Sequence, residues 1–112
     1  LGIIANQNFG TAERLEKWGL RQCFDVIVAS AEIGYAKPDK KIFEMALELA
    51  GCTAEDSVMV GDRLDNDIRP AKALGMKTVW IKNGLAVYQD SSIADNTADF
   101  IIHNLSDLLS IV

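Results

Sequence analysis

The chain has 112 residues, 49% of them hydrophobic and 24% charged, the balance of an ordinary globular protein with a packed core and not of a disordered segment. Its formal net charge of −5, with 16 acidic against 11 basic residues and no Lys/Arg cluster, excludes a function built on phosphate-backbone contacts to nucleic acid. No run approaches the ~18 continuous apolar residues of a membrane span, and no basic segment precedes an apolar one as in a signal peptide, so a cytoplasmic protein with no membrane partner is expected.

Short apolar runs alternate with amphipathic segments, the pattern of βαβ units and a mainly parallel sheet. Leu1 to Ala5 reads as a strand. Because the sequence opens inside that strand, without an initiator Met, it reads as a piece cut from a longer chain. Thr11 to Gly19 is predicted as a helix and Val26 to Ala29 as the second strand. Pro38 and Asp39 then open a helix that places Ile42, Phe43, Ala46, Leu47, Leu49 and Ala50 on one face, and Gly51 stops it. Thr53 and Asp56 have the spacing of a cap and its partner for a short turn, and Ser57 to Val60 forms a strand ending at Gly61-Asp62.

A helix from about Asp67 to Leu74 follows, with Pro70 in its first turn, where a missing N–H costs little. Lys77 to Ile81 is the next strand, and the polar stretch from Lys82 to Asp99 is long for a connection. Phe100 to Ile102 gives a last strand and Leu105 to Ile111 a closing helix. Trp18 and Trp80 are expected in the core, with Tyr88 either core or interface. Cys23 and Cys52 form no CxxC pair or His/Cys cluster, so reduced thiols, not sulfur ligands, are expected.

In open parallel sheets, ligands bind where the carboxyl ends of strands meet loops and helix N-termini. The polar residues at such places are Asn6, Gln7, Asn8, Ser30, Lys37, Asp62 and Asp67. Val58-Met59-Val60-Gly61-Asp62-Arg63-Leu64-Asp65-Asn66-Asp67-Ile68 runs from a strand into a loop with carboxylates at 62, 65 and 67. Carboxylates crowded at one strand end repel unless a cation sits among them, and Mg²⁺ is the simplest such cation. The alternative is a solvated Asp-rich turn with Asp67 as a helix cap. In Gly34-Tyr35-Ala36-Lys37-Pro38-Asp39, a lysine is fixed by the following proline 25 residues before Asp62. Its ammonium suits a phosphoryl group, although a surface lysine ahead of a helix-opening proline has the same sequence. Asn6, directly after the first strand, has an amide that could bond a phosphate oxygen or merely shape a turn.

In order and spacing, these segments resemble the haloacid dehalogenase-like (HAD) hydrolase superfamily along nearly the whole chain. Leu1-Gly2-Ile3-Ile4-Ala5-Asn6 is similar to its second motif, Lys37 to the lysine of its third, and Gly61-Asp62 with Asp67 to its fourth. Ala71-Lys72-Ala73-Leu74-Gly75-Met76-Lys77-Thr78-Val79-Trp80 looks like the usual continuation. The resemblance implies a three-layer, Rossmann-like, mainly parallel sheet flanked by helices, with residues 1–112 forming the C-terminal part of a single core domain. It implies a Mg²⁺-dependent phosphatase of a small phosphorylated metabolite, working through an aspartyl-phosphate intermediate. Asp62 would be a metal ligand and Asp67 a second acidic residue that supports the metal site or orients the lysine. Lys37 would neutralise phosphoryl charge, and Asn6 would help hold substrate.

Two departures stand out. Ala5 occupies the place of the family's Ser or Thr. The first motif, an apolar strand ending Asp-x-Asp with the nucleophile, is absent, as is the cap; the one Asp-x-Asp, Asp65-Asn66-Asp67, lies within the fourth motif. The expected sheet is therefore incomplete, lacking a strand between those that end at Ala5 and at Asp62, and a preceding segment or second chain is expected to fill it. The isolated 112-residue chain is expected to be inactive. A non-catalytic scaffold or regulatory subunit on the same frame is the alternative. A phosphoacceptor signalling domain fits less well, because Ala5-Asn6-Gln7 offers no acidic pair, and a nucleotide-binding module lacks a GxGxxG or P-loop.

Overall fold

The computed structural model describes residues 1–82 and 98–111. Most of the expected polar connection, including Tyr88, lies outside the described residues. The chain divides into two compact units, Leu1–Thr53 and Ala54–Val112, each with its own parallel sheet.

In the first unit, strands β1 (Gly2–Ala5) and β2 (Val26–Ala29) pair in parallel, from Gly2 opposite Val26 to Ala5 opposite Ala29. Helix α1 (Thr11–Lys17) lies in the crossover between them, and helix α3 (Lys40–Ala50) packs on both strands. Val28, Ala29, Ile42, Phe43, Ala46 and Leu15 are buried. The α3 boundaries follow from local chemistry: the Asp39 carboxylate accepts from Lys41 N–H at 3.0 Å, a cap worth about 1 kcal/mol. At the other end Gly51 adopts a left-handed conformation.

Two expectations are corrected here. Leu49 is 64% exposed and Ala50 is exposed as well. Four-residue strands span about 13 Å, whereas the 11 residues of α3 rise about 16 Å, so the last turn overruns its sheet. Trp18 is 64% exposed, not core; α1 stops at Lys17, one residue short of it, and the buried stripe consists of Thr11 and Leu15 only. A one-turn helix, α2 (Ser30–Ile33), was not signalled by periodicity.

In the second unit, β3 (Val58–Gly61), β4 (Lys77–Ile81) and β5 (Phe100–Ile102) form a parallel sheet in that order. Gly61 lies opposite Trp80, and Ile81 opposite Ile102. The central strand β4 buries Thr78, Val79 and Trp80 completely, and Trp80 packs with Leu64 and Ile68. A short 3-10 turn, Ala54–Asp56, stands where a turn was expected. The helix expected from Asp67 to Leu74 is in two pieces: a π-helical turn, Leu64–Ile68, then helix α4 (Arg69–Ala73). Pro70 has no N–H to give the carbonyl four residues back. The hydrogen bonds widen just before it, with Asp67 N and Ile68 N both reaching Arg63 O and Arg69 N reaching Leu64 O. The closing helix is a 3-10 segment, Leu105–Ser110, held by a reciprocal cap between Asn104 and Asp107.

Asp99 ties β5 to the rest of this unit. Its carboxylate accepts from Thr78 N–H at 2.8 Å, Thr78 Oγ1 at 3.2 Å and Lys72 Nζ at 2.5 Å. The Lys72 ammonium holds the Asp99 carboxyl below the ordinary carboxylate range, with the Thr78 donors assisting and desolvation opposing. A folded pKa below the unfolded one contributes stability that is complete above about pH 4 and lost as pH falls through the folded value. Asp99→Asn is therefore expected to lower the melting temperature at pH 7 and to converge on the parent as pH drops below about 4. Two pH–stability curves that stay parallel would contradict this staple.

Candidate active site

Because β1 and β2 are parallel, the residues that leave them, Asn6 and Ser30, emerge at the same edge of their sheet. The loop after β1 is laced to α2: Gln7 N–H donates to Ser30 Oγ at 3.0 Å, Ser30 Oγ donates to Gln7 O at 3.2 Å, and Ala31 N–H donates to the same carbonyl at 3.2 Å. Gly10 N–H reaches Glu32 Oε1 at 3.0 Å. The Asn8 carbonyl accepts from Thr11 Oγ1 at 3.2 Å. Gln7, Asn8 and Ser30 thus shape the loop through these bonds.

Asn6 and Lys37 are brought together. The Asn6 amide oxygen accepts from Lys37 N–H at 2.7 Å, and its NH₂ donates to Lys37 O at 3.0 Å. Lys37 is reached through Gly34, whose φ of 82° reverses the chain after α2 at a position that disfavours side chains. A turn bond from Asp39 N–H to Ala36 O, 2.9 Å long, closes around it. Tyr35 lies beneath the Lys41 ammonium, 5.2 Å from ring centroid to nitrogen.

In the second unit Asp62 is exposed immediately after β3, while Asp67 is only 5% exposed. The Asp67 Oδ2 accepts from Arg63 N–H at 3.2 Å, which folds the loop back over the strand end. Gly61 makes this possible, since a Cβ there would lie 2.5 Å from Asp67 Oδ2. The Asp62 carbonyl accepts from the indole N–H of buried Trp80 at 3.0 Å, fixing the peptide that carries the carboxylate.

Asp65 behaves differently from both. Arg63 grips it with two parallel bonds, Nε to Oδ1 at 3.0 Å and Nη2 to Oδ2 at 2.6 Å. Arg63 holds the Asp65 carboxyl below its ordinary range, and Asp65 in turn holds the guanidinium above its own. The crowding that called for a cation is thus met in part by the chain's own arginine. Sequence reasoning missed the parts played by Arg63 and Trp80. An Arg two residues before an Asp was the available sign of the first, and only strand pairing exposes the second.

The donors suit a hard cation. Asp62 and Asp67 offer oxygen ligands only, and Mg²⁺ takes one or two carboxylates, with waters and substrate phosphate completing its shell. Among the described residues no three His, Cys, Asp or Glu side chains converge as a metal-binding cluster, so any such ion would draw further ligands from beyond this set.

The family profile described as HAD-hydrolase-like matches residues 34–108. A glyceraldehyde 3-phosphate phosphatase of Methanocaldococcus jannaschii is 42% identical over 100 residues, covering 89% of this chain and 42% of that protein. A pyrimidine 5'-nucleotidase of Escherichia coli is 42% identical over 112 residues, covering 97% of this chain and 49% of that one. Among solved structures, a HAD phosphatase from Thermococcus onnurineus superposes with a TM-score of 0.85 at 33% identity, over 99% of this chain and 49% of that one. The chain therefore spans about half the length of these curated relatives.

The tight approach at Gly61 generates an expectation about the loop. Gly61→Ala is expected to cost about 1–3 kcal/mol by driving Asp67 out of its place, measured by urea unfolding. A variant as stable as the parent would show that the carboxylate does not pack there.

Proposed function

The chain belongs to the HAD-hydrolase-like family, and from that membership we propose that it is the C-terminal part of one phosphatase core domain, its two units included, acting on a small phosphorylated metabolite in the cytoplasm. The observation that carries this reading is the end of β3: Asp62 is exposed at the carboxyl end of a parallel strand, and buried Asp67 folds the loop that presents it. Lys37, at the mouth of α3, supplies the positive charge that a transferring phosphoryl group requires. The matched relatives are named for different phosphate esters, so the phosphoryl group is the part of the substrate these residues would recognise.

The nucleophile in this reading is an aspartate on a strand outside these 112 residues. It attacks phosphorus as the bond to the substrate oxygen breaks, and that oxygen takes its proton from a nearby acid/base carboxylate also outside these residues. The same carboxylate then takes a proton from the water that hydrolyses the aspartyl-phosphate. Asp62 and Asp67 would hold Mg²⁺, which when bound would supply positive charge to the phosphoryl group. Support for a completing strand comes from β1, whose Ile3 and Ile4 are only half-buried although wholly apolar, beside a β2 that buries Val28 and Ala29. Among the described residues β1 pairs only with β2, and β3 only with β4. A preceding segment of the same protein would cover these edges, as no nucleic acid or membrane partner is called for.

The test compares the 112-residue chain with the same chain joined to a segment carrying the aspartate strand. The joined protein is expected to hydrolyse an aryl phosphate in the presence of Mg²⁺ and to lose activity with a chelator. Asp62→Asn or Lys37→Ala is expected to lower kcat by about a hundredfold or more, and the isolated chain is expected to be inert. Turnover by the isolated chain that Asp62→Asn abolishes would overturn the assignment of the nucleophile. An inert joined protein that binds Mg²⁺ weakly and no phosphate analogue would favour a non-catalytic subunit, the reading that Ala5, lacking the family's hydroxyl, supports.

A further inference from the structure

We propose that Asn6 is a positioning residue that acts through Lys37. An asparagine side chain has one carbonyl and one NH₂. Here the carbonyl takes Lys37 N–H at 2.7 Å and the NH₂ gives to Lys37 O at 3.0 Å, across 31 residues of sequence. These two peptide groups flank the Lys37 Cα. Fixing both fixes the direction in which the Cα–Cβ bond leaves the loop.

The surrounding bonds point the same way. Asn6 is anchored because it directly follows β1, which is paired along its length with β2. Downstream, the Ala36–Asp39 turn and the Asp39 cap tie Lys37 to the first turn of α3. Lys37 is thus held from the sheet on one side and from the helix on the other. Of these ties, only the Asn6 amide grips both main-chain groups of Lys37 itself. The clamp commits one N–H and one lone pair of the amide to Lys37, so moving the side chain onto another group would break both bonds at once. The role adds a residue to the phosphatase reading and rests on that reading for its catalytic consequence.

A double-mutant cycle on the joined protein tests it, with an aryl phosphate as substrate. Asn6→Ala is expected to lower kcat/KM by about ten- to a hundredfold through misplacement of the ammonium. In a Lys37→Ala background the same change is expected to cost less than about twofold, because a residue acting through Lys37 has nothing left to position. Equal losses in both backgrounds would overturn the proposal and make Asn6 a direct substrate contact. Asn6→Asp, of nearly the same size, guards against a folding artefact. It keeps the acceptor for Lys37 N–H but sets an oxygen against Lys37 O, so it is expected to retain the fold and still lose activity; full activity would overturn the clamp.

Amide hydrogen exchange supplies a readout independent of turnover. Lys37 N–H is expected to be protected in the parent and to lose that protection in Asn6→Ala, and rapid exchange in the parent would remove the clamp from consideration. A parent with a protected Lys37 amide but no hydrolysis of any phosphate ester would sink the phosphatase reading and the catalytic role of Asn6 together, while leaving the clamp itself established.

Discussion

Strands of three to five residues, paired in parallel, give this chain little ladder with which to satisfy its main chain. The loops that leave them carry peptide groups that must find partners elsewhere. Side chains provide those partners at each candidate position: Asn6 for Lys37, Ser30 for Gln7, Trp80 for Asp62 and Asp67 for Arg63. The geometry of the candidate residues follows from this requirement. A residue that could meet a ligand sits on a loop whose backbone a second residue has fixed.

The acidic loop shows how one local composition divides into separate roles. Three carboxylates follow one strand, yet each meets a different environment. Asp65 is neutralised by the Arg63 fork, Asp67 is buried and folds the loop, and Asp62 is exposed at the strand end. Sharing the load in this way lowers the electrostatic cost of placing acids together. It also depends on a missing side chain, since Asp67 occupies the space that a Cβ on Gly61 would need.

Burial differs between the two sheets. Strands of a parallel sheet are ordinarily buried on both faces and read as continuous apolar runs. β4 meets that description, with Thr78, Val79 and Trp80 at zero exposure. β1 has the same apolar sequence but only intermediate burial of Ile3, Ile4 and Ala5. Ile3 and Ile4 thus keep part of their apolar surface uncovered.

The sequence alone determined the elements whose ends are marked by local chemistry. β2, β4 and β5 have the expected limits and α3, although it starts at Lys40 with Asp39 as its cap and not within it, stops at Gly51 as expected, because apolar runs and left-handed glycines act over a few residues. It also determined that Asn6 and Asp62 directly follow strands. What tertiary structure decided depends on residues distant in the chain. Leu49 is exposed because its sheet is shorter than its helix, Trp80 bonds Asp62 because β3 and β4 pair in one register, and Asn6 grips Lys37 because the sheet edge brings 6 and 37 together. None of these is a property of spacing, because a hydrogen bond across tens of residues exists only once the strands between them have been paired.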